Sequence, residues 1–462
     1  MEPGTPKRIP RGRVGRVAPL AGLAGRTAGE AVVASLRKKR GTGDAEAFHA
    51  RNAERYAQRL GHSRGVLLKA GQIMSMVIPE SGVEGDHRGI YRRAFAKLFD
   101  NAPPMPAAVA VRTIEAELGR PLTDLFASFD PKPLAAASIG QVHAATLHDG
   151  TRVAVKVQYP GVEQAIRADL ANTQLLGTFV QLILTVVPNM SRMDVRAIAR
   201  EISERIGEEI DYLAEAENQR EFAAAYRGHP FIRIPEVHDE LTTRRVLTMQ
   251  FDNGIRYDEA TRAPQELRDR WAEAIYRFVW EGLARLGINN SDAHPGNFLF
   301  HSDGSVTFLD FGCVKRFSTD QVEIFLGIFR YLLEGDAEGL HRWAVESGYL
   351  DPQAAVDPRD LLALVRNTYV YLTEPQPFTF TPEFVSAMWR EAFCGPQKEV
   401  MRKLSSPAWN TMLMRMGTGT FAVWGGLRAT GHWKALLEES WFDGPVVGDY
   451  GRLSAEFWAA RT

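Results

Sequence analysis

Residues 292–312 read DAHPGNFLFHSDGSVTFLDFG, a run that sets two carboxylates and an amide around a short apolar hairpin. Asp292 and Asn297 stand five positions apart, with Pro295-Gly296 between them as a strong turn former. Phe298–Phe300 and Val306–Leu309 flank Gly304-Ser305, which predicts two strands and a tight turn. Asp310-Phe-Gly312 begins 13 residues after Asn297, room enough for that hairpin to carry the chain out and back. The Asp310 carboxylate is thereby expected to face the Asn297 amide and share a metal ion with it. Each piece alone has an ordinary reading. Asp and Asn at this spacing are common in turns, and a lone Asp-Phe-Gly means little.

Working outward, Gly140–Leu147 and Arg152–Gln158 alternate like strands, and His148-Asp149-Gly150 between them reads as a turn. Val153-Ala-Val-Lys156 lies near the end of the second strand, where a lysine can reach phosphates. The bland alternative is a solvent-facing lysine. Arg245–Phe251 is a further strand, leading into a connection at Met249, Gln250 and Phe251 whose backbone groups would hold adenine. A helical tract runs from Gly161 to about Tyr226, broken at Pro188. Glu204, Glu208, Asp211 and Glu215 form one stripe on it. A solvated acidic face is the preferred reading for Glu204, whereas Glu215 is assigned as the ion-pair partner of Lys156. Lysine strand, Asp-to-Asn loop, hairpin and Asp-Phe-Gly come in the order found in kinases, and their agreement outweighs the parts.

Two departures from ordinary protein kinases shape the functional reading. The place of the Gly-rich loop is taken by Ala135, Ala136, Ala137, Ser138, Ile139 and Gly140, a stiffer segment because alanine avoids positive φ. Its backbone N–H groups and the Ser138 hydroxyl are still expected to approach phosphates. After Gly312 a helix start follows at once (Ser318-Thr-Asp-Gln321), with no Ala-Pro-Glu motif. The usual platform for a peptide substrate is therefore missing.

Composition bounds the alternatives. The chain has 462 residues, with 55 Lys and Arg against 56 Asp and Glu. A net charge of −1 argues against nucleic acid as a partner. The two cysteines, Cys313 and Cys394, make neither a disulfide framework nor a zinc cluster. The best candidate span, Leu175–Val187, is short and interrupted by Gln181, and the N-terminus lacks an apolar signal core. A cytoplasmic protein without a transmembrane helix is expected. Residues 1–40 hold most of the local basic excess and read as a disordered or weakly helical arm, either a solvated tail or one that touches an anionic membrane surface or another polyanion. The expected layout is this arm, a helical extension over 41–125, a β-rich lobe over 126–253 and a helical lobe over 254–462. His294 reads as a structural hydrogen-bonding residue, Cys313 as a packed one, and the C-terminal tryptophans as core anchors.

At this point the chain resembles the UbiB/AarF-type atypical kinases, which are associated with coenzyme Q and other prenyl-lipid metabolism. Lys69-Ala-Gly-Gln72 matches that family's Lys-x-Gly-Gln motif, and Ala135–Val142 its Ala-rich loop. Glu209-Ile-Asp211 matches its Glu-x-Asp motif, with Glu215 in the place of the helix-C glutamate. Asp292, Asn297 and Asp310 fall on its catalytic and metal positions. The resemblance implies an α+β, protein-kinase-like fold of two lobes with an N-terminal extension over the active site. It implies regulatory roles for Lys69, Gly71, Gln72, Glu209 and Asp211, and ATP or ADP with Mg²⁺ as ligands. The implied activity is ATP hydrolysis, or transfer to a small or lipid-like acceptor such as a prenyl-quinone intermediate. A nucleotide-binding pseudokinase acting as a scaffold or lipid-handling chaperone is the alternative, and an aminoglycoside- or choline-kinase-like phosphotransferase ranks lower. Two positions depart from the family pattern: Asn290 stands where histidine is usual, and Gln250 where glutamate is common.

Overall fold

The computed structural model describes residues 105–137, 139–170 and 210–461, with isolated positions between 50 and 94. The expected basic arm, the helices of the extension and the tract over 171–209 lie outside the described residues, as do Lys69, Gly71, Gln72, Ser138 and Glu209. The described chain is α+β and clusters into two compact units. One holds the residues up to Leu213 together with His238–Met249, and the other holds Ala214–Val237 with Gln250–Thr462.

Among the continuously described residues, the first element of the first unit is α1 (Ala107–Leu118), whose one-turn spacing buries Ala110 and Ile114 on the same face. It stops at Gly119, which takes φ 68° and caps the helix in the left-handed region. A short α2 (Leu122–Leu125) leads into the sheet. Its strands are β1 (Ser128–Phe129), β2 (Ala135–Ala136), β3 (Gly140–Thr146) and β4 (Arg152–Gln158). The helix α3 (Val162–Leu170) follows β4. β3 pairs antiparallel with β4 from Gly140 opposite Gln158 to Thr146 opposite Arg152, and β1 and β2 both pair with β3.

Period-two alternation puts Val153, Val155 and Val157 of β4 on one face, all fully buried. Lys156 points to the opposite face and is nonetheless buried. Beside the sheet, Met105 N donates to Gln141 Oε1 at 2.9 Å and Gln141 Nε2 donates to the Met105 carbonyl at 3.2 Å. His143 spans Gln141 Nε2 and the Asp130 carbonyl, each at 2.8 Å. A carbonyl only accepts, so Nδ1 carries the proton and Nε2 accepts from Gln141. Burial accordingly lowers the His143 pKa.

The helix α4 (Tyr212–Tyr226) starts in the first unit and continues into the second. In the second unit β5 (Ile232–Arg233) is short and ends two residues before Pro235, which has no N–H for a ladder. β6 (Val246–Gln250) pairs with β4 and completes the first sheet. After α5 (Tyr257–Ala260) a continuous rod forms from α6 (Gln265–Tyr276), a π-helical turn over Arg277–Glu281 and α7 (Gly282–Leu286). The rod buries Trp271, Ile275 and Phe278, and the Phe278 ring stacks on Phe308 at 3.7 Å between centroids.

β7 (Ile288–Asn290), the hairpin β8 (Phe298–Phe300) and β9 (Val306–Phe308), and β10 (Val314–Arg316) then form two small sheets. β7 pairs with β10, and β9 lies between β8 and a parallel β5. The remaining chain is largely helical: α8 (Thr319–Glu334), α9 (Ala337–Glu346), α10 (Pro358–Thr368), α11 (Val370–Thr373), α12 (Pro382–Cys394), α13 (Lys398–Met401), α14 (Thr411–Leu427), α15 (Trp433–Trp441) and α16 (Gly448–Ala459). Ser318 and Gln321 close a capping box on α8, as the Ser-Thr-Asp-Gln start predicts. Trp424 and Trp433 are buried and stacked, and Trp389, Trp409, Trp441 and Trp458 pack against the core, as expected of anchors. Among the described residues no helix is long and apolar enough to cross a membrane.

Candidate active site

The 291–297 loop runs between β7 and β8, and the Asp-Phe-Gly loop between β9 and β10. Both therefore leave the same ends of paired strands. Ser291 N donates to the Cys313 carbonyl at 2.8 Å, and Leu309 N to the Asn297 carbonyl at 3.0 Å, so the backbone fastens the two loops side by side. Asn290 adds a side-chain brace. Its Nδ2 donates to the Asp310 carbonyl at 2.6 Å, and its Oδ1 accepts from Asp292 N at 3.2 Å. An amide supplies both a donor and an acceptor at once, so asparagine meets the bracing need at this position without any change of charge.

Within the loop, His294 Nδ1 accepts from Gly296 N at 3.0 Å, which is the structural role expected of it. Asn297 Nδ2 donates to the Asp292 carbonyl at 3.1 Å and to Asp292 Oδ2 at 3.2 Å. With its nitrogen committed there, the Asn297 amide presents its oxygen as an acceptor. Asp310 Oδ1 accepts from Gly312 N at 3.0 Å, an Asx turn that holds the carboxylate. The donors on offer are hard oxygens, which suit Mg²⁺. Among the described residues no group of three or more His, Cys, Asp or Glu could hold a metal. Two protein oxygens with phosphate and water completing the shell is the usual arrangement for Mg²⁺.

Helix α4 reads the same loop. Glu215, Asn218 and Phe222 share a face by their i, i+3, i+7 spacing. Glu215 Oε1 lies 3.5 Å from Phe311 N, which donates toward it, and Asn218 Nδ2 donates to the Phe311 carbonyl at 3.0 Å. The buried Phe311 ring packs on Phe222 at 5.2 Å between centroids. A third contact comes from α14. Arg415 Nη2 donates to Asp292 Oδ1 at 2.8 Å, and its Nη1 lies 3.8 Å from Cys313 Sγ. Cys313 is buried against Met412.

In the first unit, Lys156 sits on β4 with its ammonium 5.5 Å from the centroid of the Tyr212 ring, a cation–π distance. Ala135 and Ala136 form β2, and Ala137 and Gly140 close a turn on each other through hydrogen bonds of 2.9 and 3.4 Å. Ile139 is buried. Met249 is buried, Phe251 half-buried and Gln250 exposed, with the Gln250 N–H donated to the Glu236 carbonyl at 2.8 Å. Asp211 caps the start of α4 through Leu213 N and pairs with Arg244 at 3.0 Å.

The structure thus brings Asp292, Asn297, Asp310 and Glu215 into one network within the second unit, while Lys156, the Ala-rich turn and Asp211 belong to the first. Sequence reasoning missed Asn218, Phe222 and Arg415. A signal for Arg415 existed: it is the sole charged residue in the apolar run Met412–Leu427, and such a charge calls for a partner.

Comparison with known proteins agrees with this architecture. Residues 97–344 match the ABC1 atypical kinase-like domain. The chain is 31% identical over 340 residues to the rat protein named atypical kinase COQ8B, mitochondrial, covering 72% of this chain and 62% of that relative. It is 29% identical over 407 residues to the Saccharomyces cerevisiae atypical kinase COQ8, mitochondrial, covering 84% and 76% respectively. A solved structure from Mycobacterium tuberculosis, Rv3197 in complex with erythromycin, aligns with TM-score 0.62 and 30% identity over 90% of this chain and all of that one. The fold is protein-kinase-like, and the chain belongs to the ABC1 atypical kinase-like family.

Proposed function

We propose that this chain binds Mg-ATP and either hydrolyses it or transfers its terminal phosphoryl group to a small or lipid-like acceptor. The observation that carries this reading is the network joining Asp292, Asn297 and Asp310, braced by Asn290. In this reading Asn297 and Asp310 hold Mg²⁺, which when bound neutralises charge on the phosphate oxygens. Lys156, carried over on its strand motif, contacts the α- and β-phosphates, with Glu215 as its ion-pair partner. The Ala-rich turn lies along the phosphates, and backbone groups at Met249–Phe251 receive the adenine. Asp292 orients the attacking oxygen, whether of water or of an acceptor hydroxyl. Phosphoryl transfer demands little covalent work from a protein, so holding these groups in place is most of catalysis.

A small or lipid-like acceptor is favoured over a peptide because β10 and α8 follow Gly312 almost at once, with Ser318 already capping the helix. The family resemblance points the acceptor toward prenyl-quinone metabolism, with the basic 1–40 arm touching an anionic membrane surface and Lys69, Gly71, Gln72, Glu209 and Asp211 regulating access.

The test is phosphate release by the full chain with Mg-ATP, with and without anionic vesicles, beside the Asp310→Asn variant. Turnover that vesicles increase and that Asp310→Asn abolishes, with an unchanged thermal midpoint, is the expected result. Retained turnover in that variant would sink the assignment. Stabilisation by nucleotide with no phosphate release would replace the enzyme by a nucleotide-binding scaffold.

A further inference from the structure

The contact between α14 and the 291–297 loop is more than packing. Arg415 and Asp292 are both largely buried, with side-chain exposures of 17% and 15%, and they meet at 2.8 Å. The partner oxygen, Asp292 Oδ2, is held by Asn297 Nδ2 at 3.2 Å. The carboxylate is thus gripped from two sides, by a guanidinium on one oxygen and by the Asn297 amide on the other. The same guanidinium reaches Cys313 Sγ at 3.8 Å, one residue past the Asp-Phe-Gly motif, so a single side chain touches both loops.

The backbone of α14 presses on the loop as well. A Cβ on Gly419 would stand 2.8 Å from the Ala293 carbonyl oxygen, a distance that real Cβ atoms do not reach. Gly419 lies one turn from Arg415, so the helix lies against the residue that follows Asp292 while its arginine holds Asp292 itself. Arg415 reaches the loop from more than 100 residues further along the chain, whereas residue 291, immediately before the aspartate, is a serine.

We infer that Arg415 is a positioning residue for phosphoryl transfer: it fixes the rotamer of the Asp292 carboxylate. This rests on the assignment of Asp292 made above. A carboxylate that must orient an attacking oxygen works only in one direction, and an unrestrained aspartate side chain samples several rotamers. A bidentate-capable, permanently charged arginine supplies the restraint in a way a lysine ammonium does only partly. Because the role is orientation and not nucleotide binding, Arg415 belongs to kcat and leaves the KM for Mg-ATP alone.

The experiment measures phosphate release by the full chain and by Arg415→Met, Arg415→Lys, Asp292→Asn and the Asp292→Asn/Arg415→Met double variant, each with its unfolding midpoint. Arg415→Met is expected to lower kcat by about tenfold or more, with KM for Mg-ATP within about twofold of the parent. Arg415→Lys should recover part of the loss. In the Asp292→Asn background, removal of Arg415 should cost nothing further, since it acts through that carboxylate. A kcat unchanged in Arg415→Met, or an additive loss in the double variant, overturns the inference while leaving the enzyme assignment intact. If Arg415→Met unfolds, the Arg415→Lys kcat and the double variant, which has no unpaired carboxylate, decide the matter by the same criteria. A wild-type chain that releases no phosphate overturns both the assignment and this inference.

Discussion

His229 shows how a single buried group reports on its surroundings. Its Nδ1 accepts from Ile232 N at 3.2 Å, and its ring packs edge-on against Phe231 and Phe457. Burial, aided by the nearby Arg277 and Arg461 cations, lowers its pKa to about 3. The folded value lies below the unfolded one, so the unfolded chain binds the extra proton first. Stability is then lost as pH falls below about 6.5 and continues to fall toward 3, by about 1.4 kcal/mol per pH unit within that window. Unfolding midpoints measured from pH 7 to 4 should drop steeply in the parent and less steeply in His229→Asn. Parallel curves would show that His229 already titrates normally. Asn290 makes the complementary point, because there a neutral amide bonds both loops and no titration is involved.

The β3–β4 hairpin and the Ala-rich turn depend on one close approach. A Cβ on Gly140 would stand 2.2 Å from the Val157 carbonyl oxygen, backbone against backbone, with no flexible neighbour to yield. Gly140→Ala should therefore destabilise the first unit by about 2–3 kcal/mol, in the range of overpacked sites, and loosen the strand that carries Lys156. Denaturant unfolding followed through the first unit would read the loss, and a change below about 0.5 kcal/mol would contradict the geometry. Gly119, by contrast, has open space around its α-carbon and is needed only for its positive φ at the end of α1. The π turn over Arg277–Glu281 shifts the rod's register by one residue, and it begins at the buried Arg277.

Across the second unit, Arg277 is the joint. It bonds Glu273 and Glu281 on its own rod, Glu439 on α15 and the Val447 carbonyl just before α16. Glu281 in turn accepts from Arg285 and from Ser454 on α16. Removing the arginine takes a shared guanidinium from three carboxylates, Glu281 keeping its bonds from Arg285 and Ser454, and breaking a buried pair from one side costs about 3–5 kcal/mol. Arg277→Met should lower the unfolding midpoint by far more than Arg285→Met, whose guanidinium is half-exposed. Equal losses in the two variants would show that the buried cluster adds nothing beyond a surface pair.

Local order was open to direct reading. The helix Ala107–Leu118, the strand Arg152–Gln158, the first strand of the 298–308 hairpin and the capping box at Ser318 follow from periodicity and turn chemistry confined to a few neighbours. The order of Lys156, Asp292, Asn297 and Asp310 was likewise visible, because motif spacing is a property of the chain. β7 and β10 were not legible, since Ile288-Asn-Asn290 and Val314-Lys-Arg316 carry no alternating apolar pattern and are strands because they pair with each other. Nor were the contacts of Arg415 with Asp292, or of Asn218 and Phe222 with Phe311, which join residues about 90 to 120 positions apart. Such partners are chosen by packing that brings distant elements together, and a one-dimensional pattern holds only the hint that a lone charge in an apolar helix must find an opposite one.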